Sequence, residues 1–579
     1  MRYRVSMSQP HSHLFEVEAV LDAPGASPVL ALPVWTPGSY LVREFARHLE
    51  GIEADDGAGR KLLVLRLDKH RFRVDAGDAA QVRVRYRIYA NDPTVRTSHL
   101  DGAHGFFNGA NVFLYAEGRV EEPVELVVVP PAGWTVSTAL DGGPLRFTAR
   151  DYHELCDSPV EVGTQAVATF EALGKRHEVA VAGRGHLDLP RFTADLKRIV
   201  EHLGAFMGGL PYERYLFIVH LSDRRRGGLE HERSTTLDVG RTAFFPREAY
   251  EETLSLAAHE FLHLWNVKRL RPAALLPYDY AGEQYTRLLW WFEGVTSYYD
   301  RLTLVRTGLS DARGYLRHLG EQWTALGRQP GASKMSLEDA SLTAWVKYYR
   351  PDENSGNSAV SYYLKGELVA LCLDLALRRA GGSLDDLLCG LHARYAATGL
   401  PEDGVERAVA EVMGEDAARE LFDRLVRGTA PVEAALDLVG LSMERRFAQS
   451  FDDKGGAPAR RNGDDGRAGW LGAEVPPGPR LVVRTVREGS PAGRAGLYAD
   501  DEILAESGFR VDRAALWDRM RQVGPGGKLR LTVFRRDEIQ EVEVALGQPP
   551  VEVAWLEPVP DPTPAQQAAF LAWTGAALP

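Results

Sequence analysis

Residues His259-Glu260-Phe261-Leu262-His263 form an HExxH motif, and that spacing leaves the segment little freedom. In an α-helix, positions i and i+4 share a face, so both imidazoles reach one metal ion only if the segment is helical. The flanks, SLAAHEFLHLW, are apolar and free of Pro and Gly, which predicts a buried helix. The chain carries 16 histidines, and a chance match to the motif is expected only about a few hundredths of the time. Glu260 lies about 100° around the helix from His259. It cannot share the ligand direction, but it can lean over the metal's open position as a general base acting on water.

A catalytic zinc takes three protein ligands and keeps one position open. The next apolar stretch, Trp290-Trp291-Phe292-Glu293-Gly294-Val295-Thr296-Ser297-Tyr298-Tyr299, offers Glu293 as the third. A buried carboxylate is costly unless paired or metal-bound. Gly294 costs a helix about 1 kcal/mol, which close packing against another helix would explain. The separation, 293 − 263 = 30 residues, lets a second helix return beside the first.

The rest of the 579 residues reads as an α+β multidomain chain. Residues 1–165 alternate apolar and polar positions between turn residues (HLFEVEAVLD, AQVRVRYRIYA), which predicts an N-terminal antiparallel β domain. Within it, Pro37-Gly38 is a turn signal. Residues 166–440 become mostly helical, with helices expected over 195–207, 250–270, 286–307, 312–326, 359–379 and 405–413. Residues 441–549 hold a polar linker, 450–469, and a small α+β module with one helix near 513–523. Residues 550–579, rich in Pro and Ala, are expected to form an extended surface tail.

The net charge, 68 − 80 = −12, argues against a nucleic-acid partner, and the short run Arg224-Arg225-Arg226 reads as a solvated loop. No apolar run reaches the 18 residues of a membrane span. The three cysteines, Cys156, Cys372 and Cys389, have neither disulfide-framework nor metal-ligand spacing. With no signal-like apolar segment at the N-terminus, a cytoplasmic location is expected. Periplasmic or secreted placement stays open if a leader has been removed.

HEFLHLWNVKRLRP followed by WFEGVTSYY resembles the gluzincin metallopeptidases, and among them the PDZ-bearing glycyl aminopeptidase family, distant relatives of aminopeptidase N. PVWTPGSYLVREF and GGLEH stand in the family's order. The resemblance implies a thermolysin-like zinc-peptidase domain, one Zn²⁺ per chain on His259, His263 and Glu293, and Glu260 as general base. Substrates would be peptides with a free N-terminus and a small first residue, Gly or Ala. Gly227-Gly228-Leu229-Glu230-His231 is similar to the Gly-x-Met-Glu-Asn strand of those relatives, with His231 in place of Asn. Glu230 would hold the substrate's α-amine, and Gly227 and Gly228 would line the peptide. Tyr363-Leu364-Lys365-Gly366 resembles their Tyr-x-Lys-Gly segment, which makes Tyr363 the oxyanion donor, with Tyr362 its neighbouring rival. Ser297 replaces the Asp that thermolysin-type enzymes use to hold a histidine ligand, so that partner must come from elsewhere. His104-Gly105-Phe106-Phe107-Asn108-Gly109 resembles a family loop at the cleft.

The C-terminal module resembles a protease-associated PDZ domain through Ser490-Pro491-Ala492, Ala495-Gly496-Leu497 and Asp501-Glu502-Ile503-Leu504. Trp470-Leu471-Gly472-Ala473 would be the loop that takes a peptide or a C-terminus. The whole reads as a zinc aminopeptidase. The alternatives are a zinc endopeptidase with the same site and a non-catalytic PDZ adaptor on a peptidase scaffold.

Overall fold

The structure is a computed structural model that describes residues 1–223, 226–459 and 467–579. Arg224 and Arg225 of the basic run, and residues 460–466 of the expected linker, lie outside the described residues. Two compact units divide the chain. One comprises Met1–Thr286, Tyr299–Leu309 and Cys389–Glu402, the other Arg287–Tyr298, Ser310–Leu388 and Asp403–Pro579.

In the first unit, an eleven-stranded sheet has Gln81–Tyr89, Leu14–Asp22 and Arg2–Ser6 as successive neighbours. The period-2 pattern does what it predicts. Phe15, Val17, Ala19 and Leu21 face Ile88, Tyr86, Val84 and Val82 across the ladder, and all are buried. The expected antiparallel sheet has one exception, Arg2–Ser6 pairing in parallel with Val124–Val129. A five-stranded sheet follows, in the order Ala166–Ala172, Lys175–Ala182, Arg214–Ser222, Ser234–Gly240, Gly227–Glu230. Gly227–Glu230 is therefore an edge strand, antiparallel to Ser234–Gly240. The helix Leu189–Phe206, capped by Asp188, lies beside this sheet and begins earlier than expected. The motif helix spans Arg247–Leu262, shorter than the pattern suggested, with His263 as its C-cap. Beyond it, Val267 has φ 142°, so the chain turns away although the expected helix runs on to residue 270.

Trp290–Val295, in the second unit, is π-helical and leads directly into the helix Thr296–Arg306, whose residues from Tyr299 belong to the first. Such π segments are rare and cluster at functional sites. Helix Tyr362–Arg379 starts after Ser361, whose Oγ accepts from the Leu364 N–H at 3.3 Å. The C-terminal α+β module has its helix at Arg513–Val523 and strands at Lys528–Arg535 and Glu538–Ala545 around its own core. The described part of the linker is pinned rather than loose. Phe451 packs on Trp517 with ring centroids 5.0 Å apart, and the Asp453 carboxylate pairs with Arg446.

The final residues depart from the expected extended tail. Val553–Pro558 pairs with Leu441–Arg446, and Pro564–Thr574 is a helix opened by a Thr563/Gln566 capping box. Pro at a helix start and Ala within it are helix-compatible, and Phe570 and Trp573 supply an apolar anchor that is fully buried. Among the described residues, no helix is long and apolar enough to cross a membrane.

Candidate active site

In the first unit the i, i+4 spacing survives the end of the helix, because the His263 N–H still donates to the His259 carbonyl at 3.2 Å. The two imidazoles sit edge to face with centroids 4.7 Å apart. Each has its Nδ1 engaged, His259 with Asp300 Oδ2 at 3.1 Å and His263 with the Asn266 carbonyl at 2.8 Å. An Nδ1–H held in this way fixes the tautomer that presents Nε2 as the ligating atom. Ser255 Oγ donates to the other Asp300 oxygen at 2.7 Å.

Glu260 is buried on the same helix. Carboxylate oxygens of Glu230 and Glu260 and a ring nitrogen of His263 all lie within 4.8 Å of one another. The edge strand makes this possible. A Cβ at Gly228 would overlap the Glu260 carboxylate, and one at Gly38 would overlap Glu230 Oε1 and lie 2.8 Å from Leu229 Cδ1. Gly38, at φ +86°, is the turn glycine of the Pro37-Gly38 segment. Arg226, the described member of the basic run, pairs with Glu252 at 3.4 Å.

Behind Glu230, Asp157 joins three groups. Lys268 Nζ lies 2.6 Å from Oδ1, His231 Nδ1 3.2 Å from the same oxygen, and the Glu232 N–H donates to Oδ2 at 2.7 Å. Burial alone would raise the Asp157 pKa, but the Lys268 charge and the His231 hydrogen bond hold it far below the usual carboxylate range. The sequence gives no sign of this cluster, because its members are 74 and 111 residues apart (231 − 157 and 268 − 157).

In the second unit, Glu293 is buried in the π-helical segment. Gly294 meets the glycine of the Tyr-x-Lys-Gly segment, since a Cβ on it would lie 2.5 Å from Gly366 Cα. That close approach accounts for a glycine inside helical text and brings the start of helix Tyr362–Arg379 to Glu293. Burial and then the Glu293 charge push the Tyr363 hydroxyl pKa well up, so it stays a proton donor. Tyr363 packs in a three-ring cluster with Tyr348 and Tyr362, with ring centroids at 5.2 and 4.8 Å from its own and 4.8 Å from each other. Tyr362 is a fully buried core residue.

Residues 2–164 match the Peptidase M61 N-terminal domain family and residues 252–369 match the M61 glycyl aminopeptidase family. The crystal structure of an aminopeptidase N family protein from Idiomarina loihiensis superposes with a TM-score of 0.93 at 31% identity, covering 99% of both chains. The chain belongs to the M61 glycyl aminopeptidase family.

Membership makes this M61 protein a peptidase. A more distant likeness, TM-score 0.48 at 13% identity over 75% of this chain and 94% of the other, is to an M1 zinc metallopeptidase from Deinococcus radiodurans. A short stretch is 28% identical over 96 residues to a probable periplasmic serine endoprotease DegP-like of Brucella suis biovar 1 (strain 1330). The M61 chain spans about a fifth of the length of that curated relative (19%). Asp300 is the residue sequence reasoning missed. It stands seven positions after Glu293 (300 − 293), not four, where Ser297 stands, and two helical turns of seven residues return to the same face.

Proposed function

We propose that this M61 peptidase is a zinc aminopeptidase that removes small N-terminal residues, Gly or Ala, from peptides with a free N-terminus. His259, His263 and Glu293 would hold one catalytic zinc per chain. The donor set fits, because both histidines have Nδ1 engaged by Asp300 and by the Asn266 carbonyl, and Glu293 precedes Asp300 by about two turns of one helical run. When bound, zinc lowers the pKa of water and polarises a carbonyl.

The chain's own residues do the rest. Glu260, next to Gly228 of the edge strand, takes the proton from the attacking water and passes it to the leaving amine. Gly227–Glu230 lines the peptide's backbone, and Glu230 fixes its α-ammonium through a charge-assisted bond. Tyr363 donates its hydroxyl to the oxygen where negative charge develops. In the same reading, residues 166–440 form the peptidase domain and 441–549 the linker and a PDZ-type module whose Trp470–Ala473 loop takes a peptide C-terminus. The Tyr363 wall and that loop are linked by lining residues of one second-unit cavity of about 1070 Å³, since Tyr348, stacked on Tyr363, lines it with Trp470, Gly472 and Trp517.

One observation carries the exopeptidase reading. Carboxylate oxygens of Glu230 and Glu260 and a ring nitrogen of His263 lie within 4.8 Å of one another, which supports Glu230 as the group that binds the substrate's ammonium. Glu230→Ala should lower kcat/KM on free-amine glycyl substrates by at least about tenfold, equivalent to about 1.4 kcal/mol. It should also narrow the preference for free over N-acetylated substrates. Unchanged discrimination would mean that another group reads the amine.

A further inference from the structure

Away from the motif helix, three strands of the first unit converge on one buried carboxylate. Glu161, on Val160–Gly163, is 0% exposed. His104 Nδ1 lies 2.9 Å from its Oε1, and His220 Nε2 lies 2.9 Å from its Oε2. His104 comes from strand His104–Phe107 and His220 from Arg214–Ser222 of the five-stranded sheet. His104 stands opposite Gly163, where a Cβ would come within 2.9 Å of the His104 Cβ. The glycine thus leaves room for the imidazole beside Glu161.

A buried carboxylate requires a balancing cation. Among the described residues, Glu161 has no lysine or arginine partner, only these two imidazoles.

We infer that His104, His220 and Glu161 form a second metal site, for a zinc-class divalent ion, distinct in sequence from the HExxH set. Two histidine nitrogens and a carboxylate are a donor set of the borderline type that zinc takes. The geometry accommodates an ion. With metal–nitrogen bonds of about 2.0–2.1 Å, the ion sits about 3.2 Å from each ring centroid. Two centroids 5.7 Å apart then subtend about 125°, near the tetrahedral angle. The nitrogen–oxygen separations of 2.9 Å need to open by only about 0.4 Å to reach a tetrahedral ligand edge.

The histidine side chains are 22% and 14% exposed, so an ion can enter and retain a water. Outer support is present. Asp101 accepts from the Ala103 and His104 N–H groups at 2.7 and 3.1 Å and pairs with His99 at 3.0 Å, fixing the turn that carries His104. Phe106 packs edge-on against His220 with centroids 4.7 Å apart. Because His104 and Glu161 stand on neighbouring strands of a four-stranded sheet and His220 on the five-stranded sheet, the ion would act as a structural clamp between the two.

The test is metal counting on the full-length chain after loading with Zn²⁺ or Co²⁺ and exhaustive dialysis. H259A/H263A should retain one equivalent, which the added changes H104A/H220A should remove. Zn²⁺ should raise Tm in H259A/H263A and leave it unmoved once the second pair is gone. Should the fourfold variant fail to fold, Glu161→Gln in the H259A/H263A background serves instead and should lose the metal. A folded H259A/H263A protein with no bound metal would overturn the site and show a proton-held histidine–carboxylate network. An equivalent that survives H259A/H263A and is lost with Glu161→Gln belongs to this cluster whatever the HExxH histidines bind, so the two readings fail separately.

Discussion

Tyr363 and Lys365, two residues apart, have opposite relations to burial. The phenol loses nothing by staying protonated, and the Glu293 charge keeps its proton in place. Tyr363→Phe should therefore lower kcat by about 10²–10³ with little change in KM, as for other single oxyanion donors. Steady-state kinetics on a glycyl amide checks this, and an unchanged kcat removes Tyr363 from the reaction. Lys365 is 1% exposed, and its ammonium reaches the Met335 carbonyl only at 3.4 Å. Burial lowers its pKa to about 8, below its unfolded value, so between about 8 and 10.4 the unfolded chain binds more protons and stability rises with pH. Below pH 8 the buried charge is a full liability. Lys365→Met should raise stability at pH 7 by about 1–3 kcal/mol, and denaturant titrations should show the gain shrinking as pH rises above 8. At this scale the sequence is legible where one residue's chemistry is unusual, as with Glu293 in an apolar run. It is silent where partners are distant, as with Asp157 and Lys268.

The two glycines of the second unit are an element-scale device. Gly294 and Gly366 let a π-helical segment and the start of helix Tyr362–Arg379 approach backbone to backbone. Gly294 was legible as a misfit within a helical pattern, but its partner was not, because a motif glycine in good helical text carries no steric signal of its own. Gly366→Ala puts a Cβ 2.9 Å from Gly294 Cα and 3.0 Å from the Trp290 carbonyl. Helix propensity favours that change by about 1 kcal/mol, and overpacking opposes it by about 1–3 kcal/mol. The expected outcome is a lower denaturation midpoint and a larger fractional loss of kcat than of stability, because the segment carries Glu293. The helix ends show the same limit. Asp188 and Ser361 cap helices that periodicity alone starts at 195 and 359, and the stop at Leu262 is set by hydrogen bonds that follow the helix, where Lys268 and Asn266 donate back to His263 and Leu262 at 2.9 and 3.1 Å.

For the molecule as a whole, the chain's last residues belong to the core of the second unit. Trp573 is fully buried and its Nε1–H donates at 2.7 Å to Tyr298, which in turn donates to Asp374 at 2.5 Å. Trp573→Ala should cost about 3–5 kcal/mol, whereas Phe509→Ala, at a side chain 78% exposed, should leave the melting temperature nearly unchanged. Composition alone reads this end as a tail because Pro and Ala are common there, whereas Phe570 and Trp573, both fully buried, anchor it. The central claim, that a zinc centre and an amine-binding carboxylate make this M61 peptidase an aminopeptidase, is tested most directly by a paired assay. Zinc-loaded enzyme is given glycyl p-nitroanilide and its N-acetylated counterpart, before and after chelation. Only the free-amine substrate should be cleaved, chelation should abolish that cleavage and zinc should restore it. Equal cleavage of the acetylated substrate, or activity that survives complete removal of the metal, would contradict the claim.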